Sequence, residues 1–133
     1  MTHNQISAII VDKAMDIHRR LGPGLLESVY QVVLAHELTK LGLQVNREVP
    51  IPVQWDGLAM EIGFRADLIV EAMVLLELKS VETLAPVHKK QLLTYLRLTD
   101  LRLGLLLNFG AALMKDGIHR VVNGLEDNEP TSP

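Results

Sequence analysis

The stretch Phe64–Glu82, FRADLIVEAMVLLELKSVE, sets three charged side chains, Asp67, Glu77 and Lys79, into two otherwise apolar runs. Its even-numbered residues Phe64, Ala66, Leu68 and Val70 are apolar, the period-two pattern of a strand with one buried face. If Glu71, Ala72 and Met73 form a three-residue connection, Val70 pairs with Val74 and Leu68 with Leu76. Asp67 then stands opposite Glu77, and Lys79 opposite Arg65. Partners across an antiparallel pair share a face, so these four charged residues cluster on the side opposite the apolar layer. A slip of one residue would separate the two carboxylates, but it would also turn one strand's apolar set away from its partner's. The hydrophobic pattern therefore favours a carboxylate pair.

Upstream, Val45, Val49, Ile51, Val53 and Trp55 alternate with polar residues or proline. Pro50 and Pro52 cannot donate ladder hydrogen bonds, which confines this strand to a sheet edge. Asp56-Gly57 is a two-residue hairpin signal that pairs Trp55 with Leu58 and Val53 with Met60. It extends the apolar even-numbered set from Leu58 to Val70 on a single face. Farther upstream the period changes to that of a helix. Ile6, Ile9, Ile10, Ala14, Ile17 and Leu21 line a first helix ending near Leu21, which the Gly22-Pro23-Gly24 segment breaks. Leu26, Val29, Tyr30, Val33, Leu38 and Leu41 line a second, with Gly42 placed to end it in the left-handed conformation.

Downstream, Pro86 suits the first turn of a third helix, PVHKKQLLTYLRLTD, on which Gln91 and Tyr95 lie one turn apart. LRLGLLLNF, residues 101–109, is nearly all apolar, as a strand covered on both faces should be. GIHRVVN, residues 117–123, reads as a last short strand. The order of elements predicts one mixed α/β domain over residues 5–123, followed by a flexible polar tail over 124–133.

At 133 residues and 48% hydrophobic, the chain is long and apolar enough to bury a core. Its formal charge of −3 gives no global nucleic-acid signature, so any such site must be a local patch. His88, Lys89, Lys90, Arg97 and Arg102 against Asp100 supply one, either a phosphate-binding rim or a solvated helix face. The chain has no cysteine, which excludes disulfides and thiolate metal sites and suits a reducing compartment. No signal peptide and no run of membrane-spanning length is apparent, so a cytoplasmic protein that does not enter a membrane is expected. His18, His36, His88 and His119 show no metal-type spacing.

Two carboxylates a few ångströms apart repel one another, and a divalent cation between them resolves the conflict. Oxygen-only ligation favours a hard ion such as Mg2+ or Mn2+, with the rest of its shell drawn from water or a phosphate. Lys79, on the same face, could hold an attacking water or stabilise charge developing on phosphorus. Glu27 opens the second helix, where a carboxylate also suits the helix dipole.

Taken in order, GPGLLESVY, FRADLIV, VLLELKSVE, QLLTYL and LGLLLNFG resemble the GxxExxY proteins, a prokaryotic group within the PD-(D/E)XK nuclease-like superfamily. The name motif falls on Gly24, Glu27 and Tyr30. The resemblance implies a restriction-endonuclease-like αβββαβ core with a central mixed sheet flanked by helices. It implies Asp67 and Glu77 as metal ligands, Lys79 as the catalytic lysine and Glu27 as a further acid that helps bind metal or water. Gln91 and Tyr95 match a Q-x-x-x-Y motif that supports the site and the nucleic-acid strand. Ala66 stands where the superfamily pattern has proline. The reading that follows is a metal-dependent nuclease acting on DNA or RNA as a homodimer or larger assembly. The alternative is a noncatalytic nucleic-acid- or protein-binding module on the same fold.

Overall fold

A computed structural model describes residues 1–125, apart from the side chain of Ile62. The tail expected from residue 124 lies, from residue 126 onward, outside the described residues. Helices α1 (His3–Leu21) and α2 (Glu27–Lys40) precede strands β1 (Val45–Trp55), β2 (Leu58–Val70) and β3 (Val74–Lys79). Helix α3 (Pro86–Thr99), strand β4 (Leu103–Asn108), a short helix α4 (Met114–Gly117) and strand β5 (Ile118–Val122) follow. The strands form one sheet in the order β1-β2-β3-β4-β5, antiparallel except for the parallel pair β3 and β4. This is the mixed sheet flanked by helices that the sequence predicts.

Strand β1 lies at the edge, as its prolines require. Asp56 and Gly57 both have positive φ, 44° and 83°, the backbone of a tight hairpin turn whose twist matches its strands. Trp55 pairs with Leu58, Val53 with Met60, and Val70 with Val74, all as expected. Between them lies a bulge that the alternation did not reveal. Ile51 pairs with Phe64 and Val53 with Met60, so residues 61–63 of β2 stand against Pro52 alone. Pro52 has no N–H for the ladder, and the strands pass it with extra residues on the partner. Gly63 is needed there, because a Cβ would come within 2.2 Å of the Ile51 carbonyl oxygen.

Two cores sandwich the sheet. Ile6, Ile10 and Ile17 of α1 and Tyr30, Leu34 and Leu38 of α2 pack on Leu76, Leu78, Leu105 and Leu107. Leu92 and Leu96 of α3 pack on Leu75 and Leu106 from the other side. All six residues of β4 are buried, which explains its unbroken apolar run.

Three expectations are corrected. The even-numbered residues of β2 do not share one face: Leu68 and Val70 join the core beneath α1 and α2, whereas Phe64 and Ala66 join that beneath α3. Across from them Val45 belongs to the first core and Val49 and Ile51 to the second. Glu48, with a φ of 51°, interrupts the alternation of β1 at this crossing, and the hairpin bends there. The β2–β3 ladder runs only through Leu68–Leu76, Ile69–Leu75 and Val70–Val74, so Arg65 pairs with Pro50 of β1 and does not oppose Lys79. On α2 the buried face is Tyr30, Gln31, Leu34, Ala35 and Leu38, while Leu26, Val29 and Leu41 are exposed. The face is rotated because Gln31, a polar residue, belongs to it.

Candidate metal centre

Strands β2 and β3 part just beyond Leu68 and Leu76, and their two carboxylates occupy the fork. The Asp67 carboxylate accepts the Leu78 N–H at 2.8 Å, and the Glu77 carboxylate accepts the Asp67 N–H at 3.4 Å. Each acid thus takes up a backbone N–H of the opposite strand just past the end of the β2–β3 ladder. The arrangement holds both side chains at the fork without a slip in register.

Their proton affinities follow from this placement. Burial pushes Glu77 up to about 8, and the neighbouring Asp67 charge adds to the shift; the Asp67 N–H and Lys79 work against it. Asp67 is likewise raised by burial, opposed by the Leu78 N–H and then raised further by Glu48 and Glu27. Lys79, half-buried at the end of β3, lowers both, although the close ion pairs among the described residues lie elsewhere. Two half-buried acids with raised proton affinity are suited to exchange a proton for a cation.

The other predicted residues divide into two groups. Glu27 is exposed at the first turn of α2 and lies within electrostatic reach of Asp67. Tyr30 is fully buried: its hydroxyl donates to the Gly22 carbonyl at 2.6 Å and accepts the Leu25 N–H at 3.1 Å, while its ring stacks on Phe109. Ser80 Oγ donates to the Leu25 carbonyl at 2.6 Å. The loop presenting Glu27 is therefore tied both to the core and to the end of β3, and Tyr30 acts through that loop. Tyr95 stacks on Phe64 and is raised by burial and then by the charges of Glu77 and Asp67, which places it beside the fork. Gln91 is exposed one turn earlier on α3 and Arg65 is exposed on β2; among the described residues no hydrogen bond brings either to the carboxylates.

Sequence reasoning missed three residues. Gln31 is buried, and its amide donates to Glu48 Oε1 at 2.9 Å and to the Asp67 carbonyl at 3.2 Å. Glu48 holds a left-handed backbone conformation that disfavours an ordinary side chain by roughly 1–2 kcal/mol. A hydrogen bond to a charged group contributes about 1.5–3 kcal/mol, so the Gln31 bond is large enough to offset that strain. The third residue is Asn108, which accepts the N–H groups of Val81 and Gly110 and donates to the Val81 carbonyl. It clamps the chain immediately after Lys79, which it pairs with across β3 and β4. The available signal was the same for Gln31 and Asn108, a lone polar residue inside an otherwise apolar face or strand.

Asn108 also lines a cleft of about 700 Å³ beside the end of β4, together with Lys89, Lys90, Glu82, Asp116 and His119. His119 is held below its ordinary value by burial and then by the Lys89 charge.

Among the described residues no group of three or more His, Asp or Glu is assembled to hold a metal. Asp67 and Glu77 still fit a hard divalent ion, since such ions bind through one or two protein carboxylates and complete their shell with water and substrate phosphate. A family model for the PD-(D/E)XK nuclease superfamily matches residues 4–121.

The chain belongs to the PD-(D/E)XK nuclease superfamily.

Nucleases of this superfamily generally use divalent metals and act on nucleic acid. Searches of curated proteins and of solved structures returned no match. No helix of this superfamily member among the described residues is long and apolar enough to cross a membrane.

Proposed function

We propose that this protein is a nuclease of the GxxExxY group that hydrolyses phosphodiester bonds of DNA or RNA with Mg2+ or Mn2+. The observation that carries the reading is the Asp67–Glu77 pair at the strand fork, both acids raised in proton affinity and both within the field of Lys79. Asp67 and Glu77 would hold the cation, which supplies positive charge against the developing charge of the reacting phosphate. Lys79 orients the attacking water and stabilises the phosphoryl oxygens. Glu27 accepts a hydrogen bond from that water, and Tyr30 keeps it in place through the Gly22–Leu25 loop. Tyr95 packs beside the acids, and Gln91, exposed on the same helix, contacts the nucleic-acid strand.

We place the activity in the cytoplasm, in a single domain over residues 5–123 that works as a homodimer. Light scattering of the intact protein at working concentration should give twice the chain mass, and a monomeric mass would remove the dimer from this reading.

The decisive experiment incubates wild type, Lys79→Ala and the Asp67→Ala, Glu77→Ala double variant with single- and double-stranded DNA and RNA in Mn2+. Cleavage by wild type that both variants lose supports the nuclease. A folded wild type that binds a substrate without cutting it would assign the fold to a noncatalytic binding module.

A further inference from the structure

Gln31 makes no contact with a reacting group, yet its side chain joins three parts of the proposed centre. Its Nε2 donates to Glu48 Oε1 and to the backbone carbonyl of Asp67, and its Oε1 accepts from Arg47 Nη2 at 3.3 Å. It is 5% exposed, among the few buried polar residues of the described chain. Glu27 precedes it by four residues and so lies on the same side of α2, one turn away. The amide therefore fixes the spacing between the helix that presents Glu27 and the strand that presents Asp67. It does so at the bend where the β2–β3 ladder has ended, so that β3 holds the Asp67 backbone only through the long N–H bond to the Glu77 carboxylate, and its carbonyl is held by Gln31.

We propose that Gln31 is a positioning residue for the carboxylate pair, holding the Asp67 backbone so that its side chain and that of Glu77 converge on one cation. The inference rests on the reading of Asp67 and Glu77 as metal ligands. Arg47 fixes which way the Gln31 amide points: with its oxygen taken by the guanidinium, the NH2 group faces Glu48 and Asp67. The bond to Glu48 holds the residue that bends β1, so the two strands of the hairpin are registered to α2 through one side chain. Groups of this kind, which orient the ligands rather than touch the metal, typically change affinity by about 10–100-fold when removed.

The test is Mn2+ titration calorimetry on the full chain, with thermal unfolding alongside. Gln31→Met keeps the shape and the helix propensity but loses the three hydrogen bonds, and it should weaken Mn2+ binding by about 10-fold or more. Leu38→Ala, a core truncation at the far end of the same helix, should lower the melting temperature and leave Mn2+ affinity unchanged. Gln31→Met with wild-type affinity overturns the positioning role. So does an equal loss of affinity in Leu38→Ala, since the effect would then follow general stability. Should Gln31→Met fail to fold, Arg47→Met, an exposed substitution, decides the matter. Removal of a cation alone would tighten Mn2+ binding, so a weaker affinity there supports positioning and an unchanged or tighter one overturns it. Binding unaffected by the Asp67→Ala, Glu77→Ala double variant, or no binding by wild type, defeats the metal-site reading itself and the inference with it.

Discussion

The Glu77 carboxylate accepts the backbone N–H of Asp67 across the gap where β2 and β3 separate. The pair is thus built into the end of a ladder, and in the absence of a cation its second charge is opposed by the first. Glu77→Gln keeps an acceptor for the Asp67 amide while removing that repulsion and the burial penalty of a charge. The variant should melt at a higher temperature than wild type in EDTA at pH 8. It should also lose the increase in melting temperature that Mn2+ gives wild type, because a neutral amide is a poor ligand for a hard cation.

The raised proton affinity of Glu77 gives a pH dependence of definite sign. Its folded value of about 8 lies above the ordinary 4.5, so between the two the folded state binds more protons than the unfolded state. Stability of the metal-free protein should then be greatest with respect to this group below about pH 4.5 and fall as pH rises through 8. Mn2+ binding should show the opposite trend, tightening up to about pH 8 with release of a proton. Calorimetry in two buffers of different ionisation enthalpy measures that proton directly.

The signal that placed this pair was local in sequence. The three-residue connection fixed the β2–β3 register from Val70–Val74 to Leu68–Leu76, beside the pair, whereas the Asp56-Gly57 turn fixed the β1–β2 register only as far as the bulge at Pro52. The bend could not be read the same way, because alternation reports which residues are apolar and not which of two cores receives them. Phe64 and Leu68 are equally apolar, yet α3 covers one and α1 with α2 the other. Gln31 and Asn108 were overlooked for a related reason: each is a single buried amide whose partners include groups 16 to 36 residues away for Gln31 and 27 away for Asn108, and such contacts leave no local periodicity.

Asn108→Leu should reveal how far Lys79 depends on its clamp. The substitution leaves the N–H groups of Val81 and Gly110 without their acceptor, and each such loss costs about 1–3 kcal/mol if the group stays dry. Denaturant unfolding should show destabilisation in that range or above it. Cleavage per folded molecule should also fall, since the segment following Lys79 is no longer held to β4.

Tyr30→Phe separates the ring from the hydroxyl. The stack on Phe109 is retained, and the lost bonds to Gly22 and Leu25 should cost about 1–3 kcal/mol in thermal or denaturant unfolding. A drop in cleavage beyond that of a core variant of equal stability, such as Leu34→Ala at matched temperature margin, is expected because Glu27, at the first turn of α2, directly follows the loosened loop.

Lys89 and Lys90 occupy the positive end of α3, where no acidic residue stands in the first turn and where the helix dipole disfavours cations. They also line the cleft that begins at Asn108, next to Lys79 in the sheet. Under the nuclease reading these lysines meet phosphates of the strand beside the one being cut. Lys89→Ala with Lys90→Ala should leave the melting temperature nearly unchanged and weaken binding of a nucleic-acid substrate in Ca2+. For two phosphate contacts on a duplex, the slope of log affinity against log salt should shrink by about 1.8, or by about 1.4 on a single strand. An unchanged slope would assign the two lysines to the solvated face of the helix and direct the search for the strand's path to Gln91 and Arg65.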